Sequence, residues 1–164
     1  MAREDELVTL RDIERDAGSL FRSVGMPAVA DDEPLPIERL AAYQRGARAW
    51  VSVGEDDVPL GYALALVVDG LGHLEQLSVR PTASRQGRGR ALVEEVVAWA
   101  RGWGAPAVTL STFREVPWNA PSYARQGFRP LGDAELTPGL RALRTAEEAA
   151  GLDVAARTFM RLDL

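Results

Sequence analysis

The chain has 164 residues, a length that suits one domain with a single core. It contains no cysteine and one histidine, His73, which excludes disulfides, thiolate catalysis and cysteine metal sites and argues against a protein-only zinc site. The net charge of −5 argues against general nucleic-acid binding, which needs a basic face. No apolar run approaches the roughly 18 residues of a membrane span, and the acidic start Met1 to Glu6 does not read as a secretory signal. The expected compartment is the cytoplasm. All 19 basic residues are arginine, which reads as the codon bias of a G+C-rich genome.

Charge is concentrated early. Residues 1–38 hold ten acids and four arginines, a local charge of −6 that is either an ordinary solvated surface or a field drawing in a cationic amine.

In chain order, Glu6 to Leu10 reads as a short strand. Asp12 to Val24 has helical spacing, with Ile13, Ala17, Leu20 and Val24 on one face, and Gly25-Met26-Pro27 ends it. A polar loop, Asp31 to Pro36, precedes a second helix from Ile37 to Tyr43 with Ile37, Leu40 and Ala41 inward. Ala47–Val53 and Leu60–Val68 form a hairpin whose second strand is apolar enough to be buried on both faces. Asp69-Gly70 is a hairpin turn signal, leading into a third strand from His73 to Val79 that stops at Arg80-Pro81.

After a glycine-bearing loop, Ser84 to Gly89, a helix from Arg90 to Arg101 buries Leu92, Val93, Val96, Val97 and Ala100, and Gly102 and Gly104 end it. Ala107–Thr112 is the next strand. Asn119 suits an N-cap for a short helix ending before Gly127, and Phe128–Leu131 is a strand. Thr137-Pro138 opens a helix that Gly151 closes, and Arg157–Leu162 is the last strand. The order describes one mixed α/β domain over residues 1–164, with a strand–loop–helix–strand unit at 73–112.

Two elements carry chemistry. In the first, Gly87 and Gly89 let main-chain N–H groups approach an anion, the helix start behind them adds a positive dipole end, and Arg85, Arg88 and Arg90 add charge. This suits a pyrophosphate, although Gly-x-Gly before a helix is often only a tight turn. It is neither a P-loop nor a dinucleotide fingerprint, because no Gly-Lys-Ser/Thr follows and the third glycine is missing. The second element is Tyr123-Ala124-Arg125-Gln126-Gly127-Phe128, with a tyrosine one turn before a helix stop.

Together, Leu77-Ser78-Val79-Arg80-Pro81, Arg85-Gln86-Gly87-Arg88-Gly89-Arg90-Ala91-Leu92 and Tyr123 to Phe128 resemble the GNAT superfamily of N-acetyltransferases. Thr112 to Pro121 is similar to a bacterial branch of it whose members mostly have no assigned substrate. The resemblance implies an acyl-CoA N-acyltransferase fold with a mostly antiparallel sheet and a central, splayed, parallel strand pair. It implies acetyl-CoA as co-substrate, no metal, a small-molecule amine as partner and no nucleic acid or membrane, and it is compatible with a homodimer. An aminoglycoside or a protein N-terminus is the alternative acceptor, and a non-catalytic acyl-CoA-binding module the alternative class.

For cofactor binding, the resemblance implies Leu77, Ser78 and Val79 against the pantetheine arm. One amide there would act as an oxyanion donor contributing roughly 3 kcal/mol. Arg85, Gln86, Gly87, Arg88, Gly89 and Arg90 would hold the pyrophosphate, with Asn119 as a further CoA contact. Counting from Pro81 places the signature at Ser84–Gly89, with Ser84 where Gln or Arg is usual. The frame Gln86–Ala91 fits the pattern literally but not the distance from the strand.

For catalysis, the resemblance implies Tyr123 as the acid that protonates the leaving thiolate, and its phenol suits that task near neutral pH. Glu75 is the expected base, with His73 the alternative; strict alternation puts both on one face with Leu77 and Val79, unless a bulge intervenes. Residues 25–36 and 132–156 are the expected walls of the acceptor pocket. Asp31, Asp32 and Glu33 could serve an ammonium, and Trp50 and Trp118 are either pocket lining or core.

Overall fold

A computed structural model describes residues 1–164. Six strands form a sheet in the order β1-β2-β3-β4-β6-β5, with β1 at Ala49–Val53, β2 at Pro59–Val68, β3 at Leu71–Val79, β4 at Ala107–Phe113, β5 at Arg129–Pro130 and β6 at Arg157–Asp163. The helices are α1 (Leu7–Gly18), α2 (Pro27–Ala30), α3 (Ile37–Arg45), α4 (Arg88–Gly102), α5 (Ala120–Ala124) and α6 (Pro138–Ala149). β3 and β4 are parallel, whereas β1–β2, β4–β6 and β5–β6 are antiparallel. This is the expected mixed α/β architecture with its central parallel pair. No helix is long and apolar enough to cross a membrane. By internal packing the chain divides into Met1–Ala65 with Glu75–Val96, and Leu66–Leu74 with Val97–Leu164, so β2, β3 and α4 contribute to both units.

In the first unit, the strand expected at Glu6–Leu10 is helical: a 3-10 turn at Glu4–Glu6 runs into α1. The reason is visible in spacing. Leu7, Leu10 and Ile13 recur at threes, and all three are buried on one face. The helix expected to begin at Asp12 therefore starts earlier, and a 3-10 stretch, Ser19–Val24, carries it to Gly25. α3 buries Leu40 and Tyr43 rather than Ile37, which is 37% exposed. β2 is enclosed at its centre, where Tyr62, Ala63, Leu64 and Ala65 are each fully buried. The α4 stripe meets expectation within this unit at Leu92, Val93 and Val96.

In the second unit, Asp69 (φ 50°) and Gly70 (φ 75°) both adopt the left-handed conformation of a two-residue hairpin turn. α6 is built onto that turn. Asp69 Oδ2 accepts from Gly139 N at 2.7 Å, and Thr137 Oγ1 caps the helix by accepting from Leu140 N. At its other end Glu147 makes a two-bond pair with Arg157 of β6, at 3.1 and 2.9 Å. Leu136, Leu140 and Phe159 form the core beneath, with Val68, Leu131 and Leu143 packed around them.

Candidate functional site

The predicted site residues fall in two groups, one in each unit. The first unit holds Glu75, Leu77, Ser78, Val79 and the whole of Ser84–Arg90; the second holds Asn119 and Tyr123.

In the first group, β3 ends at Val79, and Pro81–Ala83 makes a 3-10 turn that the Ser84 hydroxyl closes by donating to Pro81 O at 2.7 Å. Ser84 therefore braces the turn before the loop. Arg85 (φ 60°) and Gly87 (φ 77°) then take left-handed conformations that redirect the chain into α4, and Ser84 to Gly87 are exposed. The first α4 hydrogen bond runs from Ala91 N to Gly87 O at 2.9 Å. The amides of Arg88, Gly89 and Arg90 thus lie in the first turn, where no intrahelical acceptor exists, at the positive end of a 15-residue helix.

Two of the loop's three arginines are tied down by side-chain bonds. Arg88 is tied to β1 through Val53 O (2.8 Å) and Ser52 Oγ (3.0 Å), and its Nε donates to Gln86 Oε1 at 3.3 Å. It fastens the loop to β1. Arg90 pairs with Glu94 one turn on. Gly87 is needed for its conformation, but a Cβ at Gly89 would meet only ordinary contacts, 3.8 Å from Val79 and 3.9 Å from Leu77. Nothing in the protein's own packing requires glycine at 89.

The pleat of β3 departs from strict alternation. Gly72 faces Trp99 and Ala100 of α4, and Leu77 and Val79 approach Gly89 at the start of the same helix. Positions 72 and 77 would lie on opposite faces of a regular strand, so the alternation is interrupted once between them. The parallel register with β4 covers Gly72↔Val108, His73↔Thr109 and Leu74↔Leu110, whereas β3 continues to Val79. Glu75, the first residue beyond that register, is half-buried. The Tyr43 phenol of α3 is pushed up by burial and, next in importance, by the Glu75 charge. Glu75 thus interacts with α3.

In the second group, Tyr123 lies on α5, buried, with its ring edge-on to Phe128 at a centroid distance of 5.8 Å. Burial raises its pKa above the ordinary value, so the phenol is neutral at physiological pH. Asn119 occupies the N-cap position, but its side chain does not cap: Nδ2 donates to Thr112 Oγ1 of β4 at 2.7 Å, fastening the helix start to the strand. Its main-chain carbonyl accepts from Ser122 N and Tyr123 N. His73 is a core residue. Its Nδ1 lies 2.9 Å from Thr109 Oγ1, whose proton goes to Gly72 O, so Nδ1–H is the donor. Burial lowers its pKa to about 4.

Three further expectations can be placed. Trp50 is core at 7% exposure, whereas Trp118 is 40% exposed. Asp31 and Glu33 are paired with arginines of the first unit, Asp31 with Arg22 and Glu33 with Arg11 and Arg15. The sequence reading missed Glu14 of α1, which takes a hydrogen bond from the fully buried Tyr62 at 2.6 Å. The available signal was its place four residues after Leu10, on the flank of the buried stripe.

The model of the acetyltransferase (GNAT) family matches residues 9–128, well over half the chain. Solved structures repeat the fold over nearly its whole length. A Mycobacterium tuberculosis protein in complex with CoA is 18% identical with a TM-score of 0.71, covering 99% of this chain and 96% of that one. The PaiA N-acetyltransferase of Thermoplasma acidophilum in complex with coenzyme A is 13% identical with a TM-score of 0.66 and the same coverage. The ribosomal-protein-S18-alanine N-acetyltransferase of Escherichia coli is 19% identical with a TM-score of 0.63, covering 99% and 90%.

Proposed function

The chain belongs to the GNAT family of acetyltransferases, whose co-substrate is acetyl-CoA, and we propose that residues 1–164 act as one domain transferring acetyl to a primary amine of a small molecule. The supporting observation is the start of α4. An exposed loop, one left-handed glycine and three first-turn amides form a donor set for a diphosphate. Gly87, where an added Cβ would meet nothing within 4 Å, keeps the approach to those amides open. Arg85 and Arg90 supply charge at the loop, and Gln86 and Arg88 hold its shape.

The main chain of Leu77, Ser78 and Val79, beyond the register with β4, takes the pantetheine arm and gives one amide to the thioester carbonyl. Asn119 adds a contact to CoA from the start of α5.

The reaction is one displacement. Glu75, through water, takes a proton from the acceptor's ammonium. The free amine nitrogen bonds to the thioester carbonyl carbon, the carbon–sulfur bond breaks with its electron pair leaving on sulfur, and the nitrogen, cationic once bonded, gives up its second proton to solvent. Tyr123, protonated because burial opposes the phenolate, gives its proton to that thiolate and regains one from solvent. His73 is unsuited to the base's task, being enclosed and already donating to Thr109. Segment 25–36 is assigned to the acceptor side.

The test is thiol release from acetyl-CoA across a panel of amines that includes an aminoglycoside and a peptide N-terminus. Tyr123→Phe is expected to lower kcat by about a hundredfold with the Kd for CoA unchanged, and Glu75→Gln to remove the acid limb of the kcat/KM profile. Unaltered turnover in Tyr123→Phe would exclude it as the acid.

A further inference from the structure

The first unit contains a line of partly buried hydrogen bonds that the proposed reaction does not use. Tyr62 of β2 is fully buried, and its hydroxyl donates to Glu14 Oε2 of α1 at 2.6 Å. The Ser78 side chain bonds the same phenol oxygen, and Gln76 Nε2 donates to Ser78 Oγ at 3.0 Å. Each hydroxyl has one proton to give. Ser78, accepting from Gln76, gives its proton to Tyr62, and Tyr62 gives its own to Glu14. The bonds therefore run in one direction and end on a carboxylate, an arrangement in which each strengthens the next. Glu14 Oε2 also accepts from Leu35 N at 3.3 Å, in the segment leading into α3. Half a turn beyond Glu14, Asp16 pairs with Arg80, immediately after β3, so α1 holds that end of the strand at a second point.

We infer that Glu14 is a positioning residue that couples the CoA-binding stretch of β3 to the acceptor-side segment before α3, so that occupancy of one orders the other. The inference rests on the reading that Leu77–Val79 take the pantetheine arm. A ligand bonded to the main chain on either side of Ser78 limits the motion of that residue. Through Tyr62 this narrows the positions open to Glu14, and hence to the Leu35 amide bonded to the same oxygen. Coupling of this kind is reciprocal in binding free energy. Burial raises the Glu14 pKa, with Asp32 adding to the rise and Tyr62, Leu35 and Arg11 opposing it. Because the folded state thereby favours the protonated form, the ionised group costs stability at neutral pH. Glu14→Gln should leave the melting temperature equal or higher.

The experiment follows amide hydrogen exchange at Leu35 in the full chain, with and without CoA, as protection relative to the unstructured rate. Calorimetry of CoA binding runs in parallel. Wild-type protection at Leu35 should rise about tenfold with CoA. Glu14→Gln, which still accepts both bonds, should keep the rise. Glu14→Ala should bind CoA several-fold more weakly and show no rise. A wild type that binds CoA without change at Leu35, or a Glu14→Ala protein that keeps the rise, would overturn the coupling alone. Absence of CoA binding by the wild type would overturn the CoA reading and the coupling with it.

Discussion

His73 and Tyr123 are perturbed by one cause with opposite signs. Burial disfavours charge, so it lowers the imidazole pKa to about 4 and raises that of the phenol, leaving both neutral at neutral pH. For the tyrosine this preserves a proton to donate. For the histidine it stores a liability. The unfolded chain takes up a proton as pH falls below the ordinary value of 6.5, whereas the folded chain resists until about 4. The contribution of His73 to stability is thus full above 6.5 and lost progressively as pH falls toward 4, by on the order of 3 kcal/mol. Urea unfolding of wild type and His73→Gln at several pH values should show the variant losing less stability across that window; equal slopes would contradict the assignment. Sequence alone left this residue open as a base, because a strand position near a turn does not reveal whether the neighbouring layer closes over it.

At the scale of elements, legibility followed local signals. The Asp69-Gly70 turn, the α4 stripe and the Thr137-Pro138 helix start were readable because a few adjacent residues determine each. Leu7 was lost to a strand reading because a short apolar run fits two periodicities, and α1 declares itself only when Leu10 and Ile13 are counted with it. The same slip hid Glu14, whose partner Tyr62 lies 48 residues away and leaves no local trace. Asn119 was placed correctly at a helix start, yet its amide serves Thr112 on β4, a tertiary contact that outbid the local cap. The docking of α6 depends on a contact of this long-range kind. A Cβ at Gly139 would lie 2.6 Å from Val68 Cγ1 and 2.8 Å from Asp69 Oδ2, the oxygen that holds the helix start. Val68 is β-branched and stiff, so the helix start must shift and strain its bond to Asp69. Gly139→Ala should therefore destabilise the protein by about 1–3 kcal/mol, read as a lower denaturation midpoint; an unchanged midpoint would show that the turn accommodates the methyl freely.

For the whole molecule, the early excess of acid survives its ion pairs. The −6 of residues 1–38 already counts Arg3, Arg11, Arg15 and Arg22, each paired with acids of that segment, and Arg80, paired with Asp16, offsets it from outside. Such pairs, mostly exposed, add little to stability and leave the segment net negative. The family, the mixed sheet and the parallel pair were all legible, because the glycine loop and the Tyr-to-Phe segment constrain backbone as much as side chain. The acceptor was not, since its walls come from segments whose packing no motif encodes.

The central claim is that the amides at the start of α4, presented by the left-handed turn at Gly87, grip the diphosphate of CoA. Calorimetric titration of CoA into wild type and Gly87→Val tests it most directly. A Cβ at position 87 meets nothing within 4 Å, so the variant should stay folded and lose only about 1–2 kcal/mol to its strained backbone. Its affinity for CoA should fall by more than about tenfold, in line with the loss of one or more charge-assisted bonds. Equal affinity in the two proteins, or no binding to the wild type, would contradict the account.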